Sequence, residues 1–127
     1  NLISGDSNGV NDVFRKDMLT GEVVLVSSAA DGTIANALSF GASVSGDGRY
    51  VTFSSSATNL VGGDTNGIQD IFRKDMLTGE IVRVNTTSGG SQDNGALSAG
   101  GAFMTEDGRY VLFYSYGAVF GGTSLSV

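Results

Sequence analysis

Asp6, Asn8 and Asp12 stand at positions 1, 3 and 7 of a short loop, and Asp64, Asn66 and Asp70 take the same positions in a second. Oxygen side chains at alternate positions are what calcium selects, because this hard cation takes six to eight oxygen ligands. Gly9 and Gly67 at position 4 allow the sharp turn such a loop needs. The backbone carbonyls of Val10 and Ile68 would add one ligand each. Neither loop has an acid at position 5 or a bidentate Glu at position 12, so a calcium site here is carboxylate-poor and weak. The same residues also make Asx turns, and Asn-Gly is a common loop tip. Asp12 and Asp70 then serve only to tie down the start of a strand. Recurrence of all three oxygen donors speaks for calcium, yet duplication alone would preserve them, so both readings stand.

Other chemistry is thinly supplied. The 127 residues include no His, Cys, Trp or Pro, which removes disulfides and thiolate metal sites and the usual ligands of zinc and haem. Catalysis at neutral pH needs a positioned base, a nucleophile with a partner, or paired carboxylates. No Gly-x-x-x-x-Gly-Lys loop is present. Of the three Glu, Glu22 and Glu80 occupy equivalent positions, which marks them as scaffold. The expectation is a non-enzymatic chain with no catalytic residue. Thirteen acids against seven bases, a net charge of −6, argue against nucleic acid. No apolar run approaches the ~20 residues of a membrane span.

The elements that would position these loops follow from an internal duplication. Asp6–Glu22 recurs as Asp64–Glu80, 58 positions on, and Phe14–Glu22 is identical to Phe72–Glu80. Asp47-Gly-Arg-Tyr-Val-Thr-Phe53 recurs as Asp107-Gly-Arg-Tyr-Val-Leu-Phe113, 60 positions on. Glycine is abundant, at 20 residues, and sits among Ser, Thr, Asn and Asp, as in chains of short strands joined by turns. Strands are predicted at Ala42–Ser45, Arg49–Ser54, Asp70–Lys74 and Glu80–Val84. Hairpins turn at Gly46-Asp47-Gly48 and around Asp75–Gly79. Arg15-Lys16 and Arg73-Lys74 are expected to form solvated cross-strand pairs with Asp17 and Asp75. Tyr50, Phe53, Tyr110 and Phe113 are expected to pack between units.

A four-stranded unit recurring at this spacing reads as a β-propeller blade. The expected fold is all-β: about two blades of four antiparallel strands, permuted so that terminal half-blades complete a shared blade. The division is a half-blade at 1–40, a full blade at 41–86, a half-blade at 100–116 and a divergent tail at 117–127. Two blades cannot close a ring, so self-association or the remainder of a longer propeller chain is expected to complete it.

The Asp47-Gly48-Arg49-Tyr50 hairpin with Phe53, and Asp107-Gly108-Arg109-Tyr110 with Phe113, resemble the repeats of bacterial TolB-like (WD-repeat-like) β-propellers. That family carries Pro before Asp-Gly, where this chain has Gly46 and Glu106. The acidic loops resemble shortened Asp-x-Asp-x-Asp-Gly loops of extracellular calcium modules. The resemblance implies a propeller used as a binding platform for a protein or glycan. With the lack of Cys and the acidic balance, it points to an extracytoplasmic setting: secreted, periplasmic or cell surface. The function expected is a binding or assembly module. The alternatives are a propeller segment of a larger secreted hydrolase acting on glycan or peptide, and a subunit of a self-assembling ring or fibre.

Overall fold

The computed structural model describes residues 9–62, 69–86, 88–89 and 103–113. Eight strands are present among them: β1 (Phe14–Lys16), β2 (Val23–Leu25), β3 (Ser39–Val44), β4 (Tyr50–Ser55), β5 (Asp70–Asp75), β6 (Ile81–Arg83), β7 (Phe103–Met104) and β8 (Val111–Leu112). They form three separate antiparallel sheets, β1-β2, β3-β4-β5-β6 and β7-β8.

This overturns the propeller. The terminal strand pairs were expected to join into one shared sheet; instead each is a two-stranded sheet, and among the described residues nothing closes into a ring or barrel. Nor do the sheets repeat as whole units, since their strand numbers run two, four, two. Backbone pairing between β1-β2 and β7-β8 would be needed for closure, and the four-stranded sheet separates them.

What recurs is local turn chemistry. Asp75 Oδ1 accepts from the Leu77 and Thr78 amides at 2.9 and 3.4 Å, and the Gly79 amide donates to the Asp75 carbonyl at 2.7 Å. Asp17 holds Leu19, Thr20 and Gly21 in the same way, at 2.8, 3.3 and 2.7 Å. Gly79 and Gly21 have φ of 86° and 85°, a left-handed backbone that disfavours any side chain. In the β3–β4 turn the Ser45 hydroxyl donates to Asp47 at 2.8 Å and accepts from the Tyr50 amide at 3.0 Å. Thr105 does both for Asp107 and Tyr110, at 2.7 and 3.1 Å. The Ser-to-Thr exchange keeps the hydroxyl, so the turn survives.

The core is shared between the first two sheets. Val13 and Val26 from the β1-β2 sheet pack with Ala35, Val51, Phe53, Ala57, Leu60, Phe72 and Ile81. Phe53 and Phe72 face each other across β4 and β5 with ring centroids 5.7 Å apart. Alternate residues of a strand point to opposite faces. Val51 and Phe53 accordingly face the β1-β2 sheet, while Tyr50 lies over Gly108 of the β7–β8 turn. The three sheets are stacked, with the four-stranded one in the middle and β4 buried on both faces. The Asn36 and Asn59 side chains lace the connections before β3 and after β4, with four bonds of 3.0 Å.

Candidate functional site

Of the predicted ligands, Asp6, Asn8, Asp64, Asn66 and Ile68 lie outside the described residues. The other three are Val10, which is exposed, and Asp12 and Asp70. Both Asp residues are used by the sheets. Asp12 Oδ1 accepts from the Ser27 hydroxyl at 2.9 Å, and Ser27 Oγ in turn accepts from the Val13 amide at 3.1 Å. Asp70 Oδ1 accepts from the Asn85 side-chain amide at 2.8 Å, while Asn85 Oδ1 accepts from the Ile71 amide at 2.9 Å. Asp70 is fully buried and its second oxygen lies 3.6 Å from Arg83 Nε. The two acids thus fasten matching strands to the segments after β2 and β6. Among the described residues no group of three His, Cys, Asp or Glu side chains could hold a metal.

A denser constellation sits where the strand pair β4–β5 meets the β7–β8 turn. Arg49 Nε and Nη2 donate to the two oxygens of Asp75 at 3.0 and 2.9 Å, a bidentate pair. This guanidinium, helped by the Leu77 and Thr78 amides, holds the Asp75 carboxyl well below the usual carboxylate range. The Tyr50 ring lies between two cations, Arg49 at 5.0 Å and Arg73 at 4.7 Å. Arg73 passes on to the Gly108 carbonyl at 2.7 Å. On the other side, Arg15 reaches the Gly48 carbonyl at 2.8 Å, so each sheet's Arg grips the next sheet's turn.

The solvated pairs expected at Arg73-Lys74 and Asp75 are therefore replaced by other partners, whereas Lys16 and Asp17 are exposed and Arg15 helps to lower the Asp17 pKa. Lys74 is buried and donates to the Ser28 carbonyl and hydroxyl at 2.8 and 2.6 Å, and burial pushes its pKa down. Sequence reasoning missed these roles, although the joint recurrence of Arg49/Arg109 and Asp17/Asp75 was the available signal.

The outer sheets carry the same residues in a different state. Leu112 is 71 % exposed where its counterpart Thr52 is fully buried, and Tyr110 is 60 % exposed. Lys16 and Asp17 are exposed where Lys74 and Asp75 are buried. The Arg109 guanidinium lies over Tyr110 at 4.9 Å and helps to lower the pKa of Asp107 in its own turn. Arg15, Asp47, Gly48, Arg49, Met76 and Leu77 line an open cleft of about 260 Å³ next to β1. Tyr114, Tyr116 and Phe120 lie outside the described residues.

No family model, curated protein or solved structure matches the chain. The resemblance to TolB-like propellers is thus corrected on two grounds: no family model supports it, and the sheets do not close. In this chain Asp47-Gly48-Arg49-Tyr50 and Asp107-Gly108-Arg109-Tyr110 each form the same hydrogen-bonded hairpin turn, so the motif marks a hairpin and not a ring.

Proposed function

We propose that the chain is a non-enzymatic extracytoplasmic binding and assembly module that takes up protein strands on its outer sheets. The observation that carries this is that, among the described residues, β8 pairs with β7 alone, whereas its counterpart β4 is flanked on both sides. A two-stranded sheet is marginal in water, and its unpaired edge is a template for another strand. Strand addition draws affinity from main-chain hydrogen bonds and specificity from alternate side chains. The non-enzymatic part rests on the composition, which holds no His or Cys. The setting rests on the lack of Cys together with the acidic balance.

A labelled peptide spanning Asp70–Glu80 supplies the strand that β4 accepts within the chain. It is expected to bind saturably by fluorescence anisotropy, and Val111→Pro, which removes the amide that faces away from β7, is expected to abolish binding. Equal signal from a scrambled peptide, or none from either, would sink the reading.

Calcium enters this proposal as a stabiliser of the acidic loops, on the strength of the recurring Asp, Asn and Asp. Intact-mass measurement under native conditions is expected to show calcium increments that chelation removes. No uptake at about millimolar calcium, the range of weak extracellular modules, would remove the metal.

A further inference from the structure

Within the chain, β4 and β5 pair in a fixed register: Tyr50 with Asp75, Val51 with Lys74, Thr52 with Arg73. By the internal duplication, β8 is the counterpart of β4 and β1 the counterpart of β5. Among the described residues neither has that partner: β8 pairs with β7, and β1 with β2. One end of the molecule therefore carries a β4-type edge and the other a β5-type edge.

We infer that a second copy of this chain fills the gap, with β8 of one copy pairing antiparallel to β1 of the next; this rests on the strand-accepting role proposed above. The register follows from the internal pair: Tyr110 opposite Asp17, Val111 opposite Lys16, Leu112 opposite Arg15. The composite sheet β7-β8-β1-β2 then has the strand order of β3-β4-β5-β6.

Three observations fit this occupant beyond the strand itself. Charge is complementary: Arg109 is exposed and, among the described residues, forms no bidentate pair of the kind that Arg49 makes with Asp75, and Asp17 is exposed with its turn already in the conformation that Asp75 shows to Arg49. The cation stack is half built, because Tyr110 has Arg109 on one face and would meet Arg15 of the second copy on the other, as Tyr50 meets Arg49 and Arg73. Space is also open. A Cβ on Gly108 would strike the Tyr50 ring at 2.4 Å, while nothing lies within 4 Å of the same point on Gly48. The cleft over Gly48, between Arg15 and Arg49, is where the second copy's Tyr110 lands. Each copy donates one edge and accepts one, so contact is heterologous and grows head to tail.

Sedimentation of the whole chain tests this with Arg109→Asp, Asp17→Arg and the double variant. The native chain is expected to associate with concentration. Each single reversal is expected to weaken association by about tenfold or more by placing like charges together, and the double variant to recover it. Recovery also shows that the reversed residues do not merely prevent folding. A native chain that stays monomeric at about 100 µM overturns the inference. If the Asp70–Glu80 peptide still binds such a monomer, strand acceptance stands and only the second copy is excluded. Association untouched by either reversal overturns it too, since the contact then lies elsewhere.

Discussion

β5 and β1 share the residues Phe-Arg-Lys-Asp followed by an identical turn, yet they are physically different strands. In β5, Phe72 is fully buried, Lys74 and Asp75 are 6 % exposed, and both charges have close partners. In β1, Phe14 is half-buried, and Lys16 and Asp17 are in solvent. The difference lies in what stands beside them: β5 is between β4 and β6, whereas β1, among the described residues, has β2 as its one neighbour. The same contrast separates β4 from β8. Burial and pKa here are properties of pairing, carried by tertiary neighbours and not by the local residues.

The largest separation between the two regions is expected at the paired phenylalanines. Phe72→Ala removes a ring that stacks on Phe53 in a fully buried site and should cost about 3–5 kcal/mol in urea unfolding. Phe14→Ala, at a half-buried position, should cost about 1–2 kcal/mol by the same scaling with burial. Equal costs would mean that β1 is packed as tightly as β5, and the contrast would fail. Raising the protein concentration sharpens the test: head-to-tail pairing should bring the Phe14→Ala penalty toward that of Phe72→Ala.

How far the residues foretold this can be judged on particular elements. The hairpins at Asp47-Gly48 and Asp75–Gly79 were legible because their turns are written locally, in an Asp that accepts amides two positions on and a Gly at positive φ. The strands around them followed from alternation. Closure was not legible, because whether β8 meets β1 depends on sheet packing across nearly the whole chain and no local pattern encodes it. The partners of the charged residues were misread for a related reason. Lys74 bonds to Ser28, 46 positions away, and Asp75 to Arg49, 26 positions away, so neighbours in sequence were poor guides. Of the candidate calcium ligands, the described Asp12 and Asp70 show why a recurring acid is ambiguous: each has a carboxylate oxygen engaged by the sheet beside it.

A smaller effect is expected from acid, and it discriminates between Asp75 and Asp17. Both carboxyls lie below the ordinary value of 3.8, Asp17 because of the Leu19 and Thr20 amides and Asp75 foremost because of the Arg49 guanidinium. A carboxyl depressed in the folded state releases its proton more readily folded than unfolded. Its stabilisation is therefore complete above the ordinary value and is lost as pH falls from there through the depressed one. Asp75→Asn should lower Tm at pH 7, and the gap to the native protein should narrow steadily below pH 3.8. In dilute protein Asp17→Asn should show a smaller gap with the same sign, since backbone amides, and not a hydrogen-bonded guanidinium, are foremost in depressing its carboxyl. If Arg109 of a second copy engages Asp17 at high concentration, that gap should widen toward the Asp75→Asn value. A gap for Asp17→Asn that is large at every concentration would show that its carboxyl already has a strong partner within one copy, and the two ends of the molecule would no longer be open in the sense that the strand pairing requires.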